Sequence, residues 1–189
     1  ITRDIKNIFV GISKKFLFLC FLRGISFALM QIFYYISIIN MNFATATTLT
    51  FSSPIFIVVL SMLVLKEKIG LFRWSAIFIG FGGVLLIMNP KGELFSYISI
   101  LPLLAALCWA ISNIVLKFIP EDISSVKINF YSINFSYIGS LIILLFSSDF
   151  SPVENSFDWL LLILIGILGG VASILFSFAY RVVSPSTLA

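Results

Sequence analysis

Residues 24–65 read GISFALMQIFYYISIINMNFATATTLTFSSPIFIVVLSMLVL and contain no charged side chain. An α-helix crosses the hydrocarbon core of a bilayer with about 20 mostly apolar residues. The stretch is therefore long enough for two crossings, and the polar sequence Asn40-Met41-Asn42 marks the break between them. This segment predicts an α-helical protein that passes through a membrane more than once.

The composition of the whole chain supports the same fold class. Of its 189 residues, 60% are hydrophobic and 11% are charged, and the mean hydropathy is +1.15. Soluble domains carry about 25% charged residues. The sequence therefore predicts an all-α polytopic membrane protein. The six segments that qualify as spans are residues 17–39, 43–65, 70–89, 97–117, 128–147 and 159–180.

Turn signals and charges fit this count of six. Polar or Pro-containing breaks lie at residues 89–92, 119–122 and 147–156. If the loops alternate between the two sides of the membrane, Lys91 is the one basic residue assigned to the second side, and the other Lys and Arg residues fall on the first. Basic residues collect on the cytoplasmic side. The N-terminus, with a cytoplasmic segment at 1–16, is therefore predicted to be inside.

Several function classes find no support in the sequence. The chain has no His, which excludes an HExxH zinc site or a Ser-His-Asp triad within it, and it has no GxxxxGK[ST] phosphate loop. Its net charge of +4 gives little reason to expect nucleic acid as a partner. Cys20 and Cys108 lie inside apolar runs and are interpreted as small buried residues. We expect no enzyme activity, no catalytic or metal-binding residues and no cofactor.

The first and sixth predicted spans align with an offset of 142 residues. Gly24 then matches Gly166, and Ile32 matches Ile174. The two spans run in opposite directions across the membrane, as in transporters built from inverted repeats. Because the sequence opens without Met and ends on what resembles a new span, we expect it to hold spans three to eight of a five-plus-five, ten-helix protein. The alternative is a complete six-span protein.

Short motifs along nearly the whole chain resemble the drug/metabolite transporter superfamily, EamA type. They are Leu22-Arg23-Gly24, Ser53-Pro54-Ile55-Phe56, Leu65-Lys66-Glu67-Lys68, residues 105–113 and Phe178-Ala179-Tyr180-Arg181. The resemblance implies ten helices around a central cavity, with small metabolites as cargo. It makes residues 17–90 an incomplete first EamA repeat of three spans and residues 97–189 an incomplete second one. Residues 50–56 and 72–74 resemble the S-adenosylmethionine uptake branch more loosely.

Polar and aromatic side chains inside the spans are the candidates for a transport cavity, because such groups are costly in lipid. The candidate residues are Gln31, Tyr35, Thr50, Ser53, Pro54, Trp109, Asn113 and Ser177. Tyr35 and Trp109 fit an aromatic belt at the membrane surface equally well. Pro54 is expected to kink its helix.

Other residues in the spans have a plainer interpretation. Arg23, Lys117 and Arg181 lie near span ends, where we favour snorkelling of the charged group to water. Five glycines are interpreted as small packing faces between helices. They are Gly80, Gly83, Gly166, Gly169 and Gly170.

The sequence thus predicts a secondary transporter of a small metabolite in the bacterial inner membrane, in contact with lipid. S-adenosylmethionine, an amino acid or a related compound is the expected cargo. No Asp or Glu lies within a predicted span. The protein is therefore expected to be an exchanger or facilitator, or to carry its coupling group elsewhere. The alternative is a non-transporting membrane subunit or an inactive fragment of a split transporter gene. A homodimer is neither favoured nor excluded.

Overall fold

The computed structural model describes residues 12–88, 97–120, 122–146 and 155–182, and these residues form helices without any strand. Each predicted span is helical, and the ends of the helices lie within about three residues of the predicted ends. The α-helices are α1 (Lys14–Asn40), α2 (Phe43–Thr50), α3 (Ser53–Val64), α4 (Leu71–Met88), α5 (Ile100–Val115), α6 (Ser125–Phe146) and α7 (Ser156–Val182). Short 3₁₀ turns, Tyr97–Ser99 and Leu116–Phe118, extend α5 at both ends.

Within the described ranges, four helical segments are long and apolar enough to cross a membrane. They are Lys14–Asn40, Phe43–Val64, Tyr97–Phe118 and Ser156–Ala179. Helix α4 contains a shorter apolar segment, Trp74–Gly83, and α6 is interrupted by polar residues such as Asn129 and Asn134. The all-helical, membrane-spanning class is confirmed, and the count of six spans stays a prediction.

Polar residues at helix starts explain where the helices begin. The Ser13 side chain accepts a hydrogen bond from the backbone N–H of Phe16 at 3.1 Å, and Asn42 accepts one from Ala44 at 2.9 Å. Each side chain satisfies an N–H group that has no partner within the helix. The predicted break at residues 40–42 therefore has a capping residue that starts the next helix.

The second predicted span is divided where the proline was expected to kink it. Residues 51 and 52 form a turn between α2 and α3, and Pro54 occupies the first turn of α3. At that position the N–H that proline lacks would have no partner in the helix, so the proline costs little there. Phe51 and Ser52 keep right-handed helical dihedrals, so Phe43–Val64 remains one span with a break just before Pro54, and the kink itself stays a prediction.

Helix α1 lies at the centre of the molecule and packs along α5 and α6, while α2 and α3 pack on α5. The core cluster at this junction includes Phe16, Cys20, Ile57, Leu116 and Ile128. Three alanines of α5 at positions 105, 106 and 110 are fully buried. Small residues let helix backbones approach closely, which is how helices associate in membranes.

Gly24 is required by the approach of α1 to α6. A Cβ atom at this position would lie 2.6 Å from the backbone oxygen of Ser132 and 2.7 Å from the Cβ of Phe135. Both distances are well inside van der Waals contact with atoms that cannot rotate away. Only glycine fits at this crossing.

The glycines of α4 and α7 do not have the packing role expected from the sequence. A Cβ atom at Gly80, Gly83, Gly166, Gly169 or Gly170 would meet no atom of the described residues within 4 Å. The physical reason is that α4 and α7 lie at the periphery, where their large apolar side chains are exposed. The prediction of packing faces is wrong for the described part of the chain.

Some predicted features lie outside the described residues. These are most of the cytoplasmic segment 1–16, the turn at 89–92, most of the polar stretch 147–156 and the segment 184–189. The turn at residues 66–68 is described. Lys66 adopts a left-handed backbone conformation with φ of 54°, and the Glu67 N–H donates to the Ser61 carbonyl at 3.2 Å. This turn ends α3.

Candidate functional site

Among the described residues, Trp109 of α5 forms part of the wall of two neighbouring cavities between the helices. The first, called the arginine cavity here, has a volume of about 240 Å³. Its lining residues are Arg23, Phe27, Trp109, Ser112, Asn113, Gly169, Ala172, Ser173 and Phe176. The second, called the hydroxyl cavity, has a volume of about 310 Å³. Its lining residues are Met30, Tyr34, Thr47, Thr50, Phe51, Ser53 and Trp109.

One face of α1 contributes to both cavities. Arg23 and Phe27 line the arginine cavity, and Met30 and Tyr34 line the hydroxyl cavity. These four positions follow the spacing i, i+4, i+7, i+11, which keeps side chains on one face of a helix with about 3.6 residues per turn. The central helix therefore links the two spaces along its length.

Four polar side chains from three helices form a hydrogen-bonded group, called the Arg23 cluster here. It consists of Arg23 of α1, Asn129 of α6, and Ser173 and Ser177 of α7. Arg23 donates from Nη1 to Asn129 Oδ1 at 3.2 Å and from Nη2 to Ser177 Oγ at 3.0 Å. Ser173 and Ser177 donate to the same Asn129 oxygen at 2.9 Å and 3.2 Å. The cluster ties the peripheral helix α7 to the centre of the molecule.

Arg23 is buried deep in the protein, and the snorkelling interpretation is wrong for it. Its side chain is 7% exposed, and it is the tenth residue of α1, about 14 Å along the helix axis from the first. Snorkelling requires a free path to water, whereas α6 and α7 cover this guanidinium with hydrogen-bonding side chains. Gly24 allows this because it brings α6 close to α1.

The hydrogen-bond partners of Arg23 are neutral. Among the described residues no carboxylate contacts the guanidinium, and Nε is buried without any partner. A buried charge is costly unless it is paired. Arg23 therefore contributes a positive charge that the described part of the chain does not compensate. The described residues also contain no group of three or more His, Cys, Asp or Glu side chains that could hold a metal ion.

Three aromatic rings line the arginine cavity next to this charge. The ring centroid of Trp109 lies 5.7 Å from that of Phe27 and 5.6 Å from that of Phe176. The rings are tilted by 42° and 37° to one another, within the usual range for aromatic pairs. They give the cavity a broad apolar wall contributed by α1, α5 and α7.

The hydroxyl cavity takes its hydroxyl groups from α2 and from the start of α3. Thr50 donates its hydroxyl to the Ala46 carbonyl at 2.9 Å, and Thr47 donates to the Phe43 carbonyl at 2.8 Å. Since each proton is used within the helix, the hydroxyl oxygens remain as acceptors toward the cavity. The break at residues 51–52 places Ser53, at the start of α3, on the same wall.

The structure brings four of the eight sequence-predicted candidates to these cavities, and a fifth, Ser177, to the adjoining Arg23 cluster. Thr50 and Ser53 line the hydroxyl cavity, Asn113 lines the arginine cavity, and Trp109 lines both. Asn113 is 2% exposed and donates from Nδ2 to the Trp109 carbonyl at 2.9 Å. Ser177 is fully buried in the Arg23 cluster.

The remaining candidates lie elsewhere. Gln31, Tyr35 and Pro54 are not among the residues that line either cavity, and Tyr35 is 59% exposed. The spacing explains the position of Tyr35. Each step of four residues advances about 40° around a helix, so three such steps from Arg23 carry Tyr35 about 120° away from the cavity face.

Two of the site residues are absent from the predicted cavity residues and could have been placed among them. Tyr34 continues the i, i+4, i+7, i+11 series from Arg23, which holds to one face better than repeated steps of four. Asn129 is an amide near the start of a predicted span, and the argument that favoured Asn113 applies to it equally. No feature of the sequence indicates that Asn129 lies close to Arg23.

Comparison with known proteins assigns the family. Residues 3–89 and 96–189 match the EamA-like transporter family. The chain belongs to this family. The predicted resemblance to EamA-type transporters is therefore confirmed. No solved structure gives a significant match to this EamA-like chain.

Curated relatives of this EamA-like chain include transporters named for two different compounds and a member of a solute carrier family. A riboflavin transporter of Vibrio cholerae is 32% identical over 138 residues, covering 73% of this chain and 46% of the relative. An S-adenosylmethionine uptake transporter of Rickettsia conorii is 28% identical over 145 residues, covering 77% and 48%. The mouse solute carrier family 35 member G1 is 30% identical, covering 87% and 48%. The chain spans about half the length of these relatives.

Proposed function

We propose that this EamA-like chain is the central part of a secondary transporter that moves a small organic metabolite across the bacterial inner membrane. Two of its relatives are named as transporters of riboflavin and of S-adenosylmethionine, and these names support a small metabolite as the cargo. The two cavities that meet at Trp109 carry the proposal. They combine aromatic walls with a few convergent polar groups, as sites for small molecules do.

The proposed topology has six spans in this chain with the N-terminus in the cytoplasm. The bias of basic residues supports the orientation, and the helices at all six predicted segments support the number of spans. We also propose that residues 17–90 and 97–189 are incomplete halves of an inverted repeat. The two separate family matches, residues 3–89 and 96–189, support a division at this point. In such carriers the substrate lies at the interface of the halves near the midplane.

The electrostatics of the cavity bear on the kind of metabolite. S-adenosylmethionine carries a positively charged sulfonium, which the uncompensated charge of Arg23 would repel. Riboflavin has a flat, uncharged ring system with carbonyl oxygens, which suits an aromatic wall next to hydrogen-bond donors. A flat metabolite without a net positive charge is therefore the better cargo for these cavities.

An uptake assay in proteoliposomes tests the proposal. The protein is reconstituted both as this chain and with any coding sequence that flanks it in the gene, and uptake of riboflavin and of S-adenosylmethionine is measured. Saturable uptake of either compound, absent from empty vesicles and reduced in Trp109→Leu, supports transport. Trp159→Leu is the matched control, because Trp159 is 56% exposed and lies in neither cavity.

The same assay addresses the alternative, a non-transporting subunit or an inactive fragment. A folded protein that inserts into membranes but moves neither compound, nor a panel of other small metabolites, with or without flanking sequence, would contradict the transport proposal.

A further inference from the structure

We propose that the arginine cavity binds an anionic oxygen group, a carboxylate or a phosphate, on Arg23, with an adjoining flat apolar group against Trp109 and Phe176. The inference deepens the proposed function, since it gives the chemical class of the solute. Binding can be measured without transport, so the two can fail separately.

The first argument is the charge of Arg23. An arginine stays protonated in proteins, so burial cannot be relieved by losing a proton. Asn129 and Ser177 supply two acceptors but no negative charge. Within the described residues the guanidinium is held in place by neutral groups, and we assign the charge that would complete the site to a ligand.

The second argument is the number of donors that remain. A guanidinium carries five N–H donors in a planar fork, which suits the two oxygens of a carboxylate or phosphate. The cluster uses one bond from Nη1 and one from Nη2, and Nε is buried with no partner among the described residues. Arg23 lines the arginine cavity, whereas its Nε atom is shielded from it, so a ligand there would use the N–H groups of Nη1 and Nη2 that the cluster leaves free.

A bound water is the simpler alternative. Apart from the two cavities, a much smaller space of about 10 Å³ lies beside Arg23 and Ser132. This is about the volume that one water molecule needs. A water there could accept a hydrogen bond from the guanidinium or from the Ser132 hydroxyl. It would satisfy hydrogen bonding without neutralising the charge, so the electrostatic argument for an anion is unchanged.

The third argument is size and shape. A cavity of about 150 Å³ in another protein holds benzene. The arginine cavity, at about 240 Å³, has room for one aromatic ring and a carboxylate. Trp109 and Phe176 supply the apolar wall for the ring, and Ser112 and Asn113 border the same space. The smallest ligand with both features is an aromatic carboxylate.

Three probes of nearly equal shape isolate the charge. Benzoate is negative, benzamide is neutral and benzamidine is positive. Their dissociation constants are measured by calorimetry on the full chain in nanodiscs of phosphatidylcholine, which has no net charge. We expect benzoate to bind roughly ten- to a hundredfold more tightly than benzamide, and benzamidine to bind most weakly. Equal affinity for benzoate and benzamide in the unmodified protein overturns the inference.

Variants then assign the preference to Arg23. Arg23→Gln should abolish the difference between benzoate and benzamide, whereas Lys68→Gln, which removes the same charge at an exposed position, should keep it. Asn129→Asp places a carboxylate next to the guanidinium in a side chain of the same shape. It should also abolish benzoate binding, even if Arg23→Gln does not fold. A folded Arg23→Gln or Asn129→Asp that retains the preference for benzoate overturns the assignment.

The same anionic chemistry could come from a lipid headgroup. Repeating the titration in nanodiscs that contain phosphatidylglycerol separates the sources. Weaker benzoate binding in those nanodiscs, but not in Arg23→Gln, identifies the headgroup as a competing ligand at Arg23. Unchanged binding assigns the site to soluble anions. If the protein takes up a metabolite but binds benzoate no more tightly than benzamide, the transport proposal stands and only this inference is overturned.

Discussion

Arg23 of α1 and Asn129 of α6 are 106 residues apart in the sequence, and their side chains meet in a 3.2 Å hydrogen bond in the protein interior. The same Asn129 oxygen accepts from two serines of α7. A single amide oxygen therefore joins three helices and orients the buried guanidinium.

The first prediction concerns this amide. Asn129→Leu should lower the free energy of unfolding by about 1–3 kcal/mol, because it leaves buried donors of Arg23 and the two serines without their shared acceptor. Asn134→Leu is a matched control on the same helix. Both amides donate to the carbonyl four residues earlier, at 2.9 Å and 2.7 Å, but Asn134 is exposed. Thermal unfolding in detergent measures both variants. Equal effects of the two would show that the cluster adds no stability.

The second prediction concerns the crossing of α1 and α6. Gly24→Ala should destabilise the protein by about 1–3 kcal/mol, because its methyl group would overlap backbone and Cβ atoms of α6. Gly80→Ala introduces the same methyl group where no described atom lies within 4 Å. Alanine is the better helix former by about 1 kcal/mol, so this control should be neutral or slightly stabilising. Circular dichroism during heating compares them, and a stable Gly24→Ala would contradict the close approach.

The third prediction separates two neighbouring tyrosines. Tyr34 lines the hydroxyl cavity, whereas Tyr35 is 59% exposed. Tyr34→Leu should therefore lower the uptake rate in proteoliposomes several-fold, and Tyr35→Leu should leave it nearly unchanged. The two ring centroids are 6.3 Å apart, so the comparison keeps position and chemistry almost constant. A larger effect at Tyr35 would contradict the assignment of Tyr34 to the cavity face of α1.

The fourth prediction concerns topology. In a protein whose two native cysteines are replaced, Lys68→Cys should react with an impermeant thiol reagent only from the cytoplasmic side. Asn155→Cys should react only from the outside. Both positions are exposed in the structure, so access depends on the side of the membrane. Reaction of Lys68→Cys from outside whole cells would refute the predicted orientation.

The sequence determined the class of fold and most helix boundaries. In lipid, the backbone N–H and C=O groups of a long uncharged stretch must bond within the protein, and a helix satisfies them all. Local signals such as Asn42 and Pro54 mark where helices start. These are short-range effects, so they can be predicted from neighbouring residues. The family followed from motifs that are also local.

The tertiary structure decided which polar residues form the candidate site. Arg23 has the sequence context of a snorkelling residue, and its burial depends on α6 and α7, which are distant along the chain. Tyr35 and Tyr34 are equally suitable by residue type, and only the rotation of α1 toward its neighbours separates them. The glycines of α7 likewise did not reveal from the sequence that this helix lies at the periphery. Helix periodicity fixes which residues share a face, but the contacts between helices decide which face lies inside.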